Sequence, residues 1–503
     1  MRGTIWAGIG LLSLGLATDH CEAREFSDLW GEHGEQWSPA SRLPDFSHAG
    51  YRDGEAPLPQ IPVVLNVKDF GAVGDGRHDD TRAFIDAIGA GREGAILVPP
   101  GRYLITRIVE IKRSGVVLRG AGPEKSVLVC PVPLETIRPN MGATTSGRPT
   151  SNYSWSGGMV QIKGSWKKGK AAAVTGIVKR GDAVLPVSST AGFAPGQRVE
   201  ILATDDGDKS LLSHLYSGDP GNTAKITRPS RVALRARVTT VTDGKITLDR
   251  PLRIDLETKW RPKVYPCDST VRECGIEFLG FEFPEQPYKG HFTELGHNAI
   301  ALRGVSDCWV REVRIANSDS GLFVRGRFCT LTGVTLVSKR KTARDGTTGH
   351  HGISIGSDTL CTNFKIGTKF IHDITMTGYA SGSVCSCGEA VDLSLDHHKK
   401  APFENLFSDI DAGAGTRLWK CGGGAALGKH SGARETFWNI RADKPQQWPF
   451  AGFGPDSMNL IGLTTREKEN CQPDGRWFEV IAPEDLRPAN LHEAQLTRRM
   501  GWK

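Results

Sequence analysis

The feature that most constrains this chain is a short motif that returns. Asn298-Ala299-Ile300-Ala301-Leu302-Arg303-Gly304 comes back as Ser320-Gly321-Leu322-Phe323-Val324-Arg325-Gly326. Two alternating apolar positions returning at that interval define one turn of a parallel β-helix, each turn stacked on the one before. His351-Gly352-Ile353-Ser354-Ile355-Gly356-Ser357 reads as a third copy and Glu389-Ala390-Val391-Asp392-Leu393-Ser394-Leu395 as a fourth. A second strand follows each copy, at 310–315, 331–336, 364–366 and 403–407. The step from Leu322 to Ile353 is longer than that from Ile300 to Leu322, and the step from Ile353 to Val391 is longer again. A stacked turn cannot lengthen its core strands without losing register, so the surplus leaves as loops, at 339–349 and within 371–388. Insertions on one face of a solenoid build a binding face.

Composition supports an all-β chain. Sixty glycines in 503 residues are too many for a mainly helical protein, and 38% hydrophobic residues suffice for a large core. The formal charge of +7 suits an acidic polymer as partner. No Lys/Arg run with interleaved aromatics points to nucleic acid. Residues 1–23 have the form of a secretory signal, with an apolar run from Ile5 to Ala17 too short to span a bilayer. We therefore expect a secreted chain, extracellular or periplasmic, with no membrane partner. Export permits disulfides among the 11 cysteines. Cys308, Cys329 and Cys361 follow their strands by similar intervals and are expected to stack as a ladder at one corner. Cys385-Ser386-Cys387 is too tight for a structural zinc site.

Six segments follow from this pattern: the signal (1–23), an extended leader (24–60), an N-terminal cap with the first turns (61–179), an inserted antiparallel β subdomain (180–262), the main coil with its groove (263–465), and a tail ending in a short amphipathic helix (466–503). Asp243-Gly244 is the turn signal of the insert, and 204–230 reads as a polar loop.

The cap carries the motifs Asn66-Val67-Lys68-Asp69-Phe70-Gly71-Ala72, Gly74-Asp75-Gly76, Asp79-Asp80-Thr81 and Pro100-Gly101-Arg102-Tyr103. They resemble the N-terminal segment of the pectate-lyase-like superfamily, of the rhamnogalacturonase/epimerase type. The resemblance implies a right-handed parallel β-helix whose open end is covered by a capping helix. Asp79 or Asp80 then caps a helix with Ala83, Phe84, Ala87 and Ile88 on its apolar stripe.

Strand parity selects the candidate site. With Ile300/Leu302, Leu322/Val324, Ile353/Ile355 and Val391/Leu393 inward, the outward column holds His297, Ala301 and Arg303, then Asp319, Phe323 and Arg325, then His350 and Ser354, then Asp392, Ser394 and Asp396. His351 has the opposite parity and is expected to turn inward at the corner. Asp396-His397-His398-Lys399-Lys400 is expected beside the basic loop that contains Lys339, Arg340, Lys341 and Arg344, with His372-Asp373 nearby.

These residue types fit two reactions. In β-elimination of a uronate polymer, cationic side chains neutralise the carboxylate and a His or Lys takes the C5 proton. Lys341, Arg344, His350, His351, His397, His398, Asp392 and Asp396 are the catalytic candidates. His297, Arg303, Asp319, Arg325, Lys339, Arg340 and Lys399 are the substrate-binding ones. In hydrolysis, a carboxylate pair does the work. His351-Gly352 and Asn317-Ser318-Asp319 resemble polygalacturonase motifs, and Asp345, Asp392 and Asp396 would supply the acids. A non-catalytic carbohydrate-binding coil is the third reading. No cofactor is required by the sequence; a divalent cation such as calcium is left unassigned. The partner is an acidic polysaccharide, and the chain is a monomer or a homotrimer.

Overall fold

The computed structural model describes residues 24–470, 472 and 475–502, so the signal segment lies outside them. The architecture is a right-handed parallel β-helix, and its sequence logic is a set of inward columns. One face is a seven-stranded sheet, all parallel, running Val109–Ile111 (β1), Val160–Lys163 (β2), Asn298–Ser306 (β3), Ser320–Arg327 (β4), Gly349–Ile355 (β5), Phe370–Met376 (β6) and Leu395–His397 (β7). Val160, Ile300, Leu322, Ile353, Ile374 and Leu395 lie one above another in register, all with no exposed surface. Fully burying each such side chain contributes ~1.5–3 kcal/mol. The remaining faces form a 17-stranded sheet. Its inward column runs Val310, Leu331, Cys361, Cys385, Phe407, Phe437, Leu460 and Phe478.

The register corrects the sequence-derived turns in one place. The turn after β5 is β6, with Ile353 paired to Ile374, and the turn after that is β7, with Ile374 paired to Leu395. Phe370-Ile371-His372-Asp373-Ile374-Thr375-Met376 is thus a core turn, not loop surplus. Val384–Ala390 belongs to the 17-stranded sheet, and Val391 is exposed. The only lengthened turn among these is the one that carries the 339–349 loop.

The cysteines divide likewise. Gly275 pairs Trp309, and Trp309 pairs Thr330, which stacks Cys274, Cys308 and Cys329. Cys361 faces Leu331 instead, two positions along, and stacks with Cys385. The nine cysteines among the described residues are unpaired.

At the N-terminal end, the helix Thr81–Gly89 buries Ala83, Phe84, Ala87 and Ile88. The two aspartates divide the capping work. Asp79 Oδ1 accepts from Thr81 N at 3.0 Å, and Asp80 accepts from Val73 N and Gly74 N across the preceding turn.

An antiparallel sheet projects between β2 and β3. Arg198–Thr204 pairs Arg231–Thr242, which turns at Asp243-Gly244 into Lys245–Leu248. Trp166–Lys168 and Lys263–Ser269 also belong to it, outside 180–262. The 204–230 stretch is not wholly loop: Ser210–Leu215 is a short helix that buries Leu211, Leu212 and Leu215. Nor is the leader merely extended over the surface. Leu43 and Phe46 are buried against Trp438, Leu406 and Leu491, the last from the C-terminal helix Leu491–Met500. Asp53 pairs with Arg198, Arg237 and Arg250 of the insert, and those guanidiniums outweigh the cost of burial and hold its carboxyl down at about 2.

Candidate active site

The site is a cluster of imidazoles on the outer face of the seven-stranded sheet. β5 supplies His350 and His351, β6 supplies His372, and the end of β7 supplies Asp396 and His398. A loop before β3 adds His291 and Glu294.

Strict alternation would turn His351 inward. Gly321 and Gly352 prevent that. A Cβ on Gly352 would collide with Asp373 O and lie 3.2 Å from Leu336 Cδ1, and Leu336 is core. Gly352 therefore faces the interior, as Ile353 does, and the alternation slips by one. His351 emerges on the outer face, with Nδ1 3.0 Å from Thr375 Oγ1 and its ring 5.8 Å from that of Phe323. His350 stacks on it, ring centroids 4.2 Å apart. The two adjacent histidines thus belong to one cluster.

From there the contacts spread. His372 lies 5.5 Å from His350, 5.0 Å from His351 and 5.3 Å from His398, centroid to centroid. His291 Nε2 is 3.0 Å from His350 Nε2. Two buried carboxylates stand behind the rings. Glu294 Oε1 is 3.6 Å from His350 Nδ1, and Glu294 accepts from the Tyr288 hydroxyl and from Ser154 Oγ. Asp396 Oδ2 is 2.8 Å from His398 Nδ1 and 3.5 Å from His372 Nδ1. Gly422 closes over the rings; a Cβ there would lie 2.5 Å from His372 Cε1 and 2.9 Å from His398 Cε1.

Burial sets the protonation pattern. It pushes His372 down to about 3 in spite of Asp396, His291 to about 4, and His351 well below its ordinary range. Burial also opposes a charge on His398, yet the Asp396 carboxylate outweighs it and raises that imidazole. Burial would raise Glu294, but His350 and Tyr288 outweigh it and bring it to about 2. His372 and His398 outweigh burial at Asp396 and hold it well below the usual carboxylate range. Two overlapping trios have their ligand atoms within 4.8 Å of one another: His291, His350 and His372, and His372, Asp396 and His398.

A row of exposed cations lies on the same sheet. Lys163, Arg303 and Arg325 occupy successive rungs in register. Arg325 donates to Ser354 O and Oγ, both at 3.0 Å. Rungs are about 4.8 Å apart, so the row presents three positive charges over roughly 10 Å.

Other sequence-derived candidates stand elsewhere. His397 points into the core, Nε2 2.8 Å from Glu435 Oε1, among Phe407, Phe437 and Phe453. It alternates with Asp396, so the two cannot share a face. Asp392 is held by Lys369 and Thr416, outside the cluster; its assignment followed from taking 389–395 as a core turn. Asp319 is buried and accepts from Arg340 Nη1 at 2.9 Å and from the Gly296 and His297 backbone. Arg340 also donates to Gln286 O and covers the Tyr288 ring, so this pair braces the loop carrying His291 and Glu294. His297 packs edge-on against Phe283. Lys399 donates to Gly428 O and holds the glycine-rich loop. Lys339, Lys341 and Arg344 are exposed, and their side chains make no hydrogen bond or ion pair among the described residues. Sequence reasoning missed His291, Glu294 and Lys163. The first two sit on an irregular loop with no periodic signal, whereas Lys163 is the rung below Arg303.

Comparison with known proteins fits this architecture. A profile of the family described as "Rhamnogalacturonase A/epimerase, pectate lyase-like" matches residues 64–130. That match covers the N-terminal cap and first turns, and the parallel β-helix of the rest of the chain fits a pectate-lyase-like architecture. Among curated proteins, it is 27% identical over 210 residues to plasmin and fibronectin-binding protein A of Streptococcus pneumoniae (strain ATCC BAA-255 / R6), covering 39% of this chain and 28% of that one. It is 34% identical over 104 residues to mannuronan C5-epimerase AlgE1 of Azotobacter vinelandii, covering 19% of this chain and 7% of the epimerase. The chain thus spans under a third of the length of these relatives. The tailspike protein gp49 from Pseudomonas phage LKA1 aligns with a TM-score of 0.46 at 16% identity, over 75% of this chain and 59% of that one.

Proposed function

We propose that this protein is a polysaccharide-active enzyme working outside the cell, and that it cleaves a uronate-containing acidic chain by β-elimination. The observation that carries this reading is the exposed row Lys163–Arg303–Arg325 beside the imidazole cluster on one sheet face. A negatively charged polymer laid across the rungs meets positive charge on each. His398 is the base. Asp396 orients its ring through Nδ1, which leaves Nε2 for the C5 proton. As the proton moves to Nε2, the C5–H electron pair forms the C4–C5 double bond and the C4–O4 bond breaks. The leaving oxygen takes its proton from the imidazolium or from water. Arg325, close enough to act electrostatically on His398, stabilises the negative charge that builds on the carboxylate.

Hydrolysis needs two carboxylates at the glycosidic bond. Asp345 is bonded to Thr347, Asp392 to Lys369 and Thr416, and Asp396 to His398, which favours elimination. The relatives named as mannuronan C5-epimerases add a second reading: the same proton abstraction, followed by return of a proton to the other face of C5. Incubation with a panel of uronate polymers separates these outcomes. Elimination gives shorter chains with ultraviolet absorbance from the C4–C5 double bond. Epimerisation gives altered uronate composition at constant length, hydrolysis gives reducing ends without absorbance, and a binding module gives retention alone.

A further inference from the structure

We propose that His291, His350 and His372 form a site for a divalent transition metal of the Zn2+ type. Each offers a ring nitrogen, and the three nitrogens lie within 4.8 Å of one another. His350 turns Nδ1 toward Glu294, and its Nε2 meets His291 Nε2 at 3.0 Å. His372 turns Nδ1 toward Asp396, which leaves its Nε2 available. This is how a metal-binding imidazole is held: one nitrogen to the ion, the other steered by a carboxylate behind it.

Two further features point to a cation. His350 and His372 are buried, with 2% and 3% of their surface exposed, which shields an ion held between them. Glu294 and Asp396 are buried carboxylates with no Lys or Arg partner among the described residues. Their ion-pair partners among the described residues are imidazoles, and buried charge needs compensation. A dication on the three rings supplies it. Three nitrogen donors select Zn2+, Co2+ or Ni2+ over Ca2+, which takes oxygen ligands. His291 is exposed, so the fourth coordination position opens to solvent. There a uronate carboxylate oxygen would complete the shell and be polarised for loss of the C5 proton. This last role rests on the elimination reading; metal binding does not.

The test uses the full chain, stripped with chelator and titrated with Co2+. The site predicts visible d–d absorption that saturates at one equivalent, is displaced by one equivalent of Zn2+, and is untouched by excess Ca2+. His350→Ala and His372→Ala weaken Co2+ binding by about 100-fold or more, and Glu294→Gln by ~10–100-fold, as loss of an outer-shell carboxylate does. His33→Ala, at an exposed histidine elsewhere, changes nothing. Should a cluster variant fail to fold, wild-type His291 still reports: Zn2+ slows its modification by diethyl pyrocarbonate, read by mass spectrometry. Wild-type protein that takes up no Co2+, or His372→Ala that binds it as wild type does, overturns the site. Protein that binds Zn2+ through these histidines and cleaves no uronate polymer overturns the elimination reading and leaves the metal site standing. Cleavage by a protein that binds no metal does the reverse.

Discussion

His398 Nδ1 lies 2.8 Å from Asp396 Oδ2, and the carboxylate has no Lys or Arg to share it with among the described residues. That dyad is the proposed proton acceptor. Removing the base with His398→Ala lowers kcat on a uronate polymer by ~10²–10⁴-fold. Asp396→Asn keeps the shape but removes the charge that favours the imidazolium, and also lowers kcat. Circular dichroism and a thermal melt check that both variants remain folded.

The cationic row acts on binding more than on chemistry at its distal end. Lys163→Ala and Arg303→Ala raise KM for an acidic polymer several-fold and leave kcat nearly unchanged. Arg325→Ala changes both, because its charge acts on His398. Raising the salt concentration weakens wild-type binding toward the level of the variants, since exposed charges are screened beyond about 10 Å at 0.1 M ionic strength. Initial rates against polymer concentration at two salt levels measure this.

His397 makes the opposite prediction from its neighbour. His397→Ala leaves Glu435 facing a cavity among three phenylalanines. It costs about 2–4 kcal/mol of stability, measured by denaturant unfolding, with kcat per folded molecule retained.

Acid destabilises the C-terminal helix through His492. Burial, reinforced by Arg499, lowers its imidazole to about 4 from an ordinary value of 6.5. The fold holds the ring neutral while the unfolded chain protonates it. The contribution is therefore full above about pH 6.5, is lost as the pH falls toward 4, and amounts to about 3 kcal/mol. His492→Leu flattens the wild-type decline in that window in denaturant unfolding at a series of pH values.

Much of the coil was legible because Ile300 and Leu302 recur as Leu322 and Val324, and such pairs have one stable stacking. The turn at 370–376 was not: Asp373 stands where the two preceding copies carry Gly321 and Gly352, so the motif disappeared although the length of the step was kept. That omission displaced Asp392 into the groove. The inward expectation for His351 failed for a local reason, the inward placement of Gly352, which pairwise alternation cannot show. Arg303 and Arg325 were read from parity alone and stand exposed on successive rungs. Glu294 and His291 arrive on a loop whose path depends on the Asp319–Arg340 pair, a contact between separate segments with no repeat to announce it.

The most direct measurement is ultraviolet absorbance during incubation of the wild-type protein with a panel of uronate polymers. Elimination through His398 predicts a steady rise with at least one of them, from the C4–C5 double bond, and its near-abolition in His398→Ala. A flat trace across the panel, or a rise that His398→Ala sustains at the wild-type rate, would contradict it.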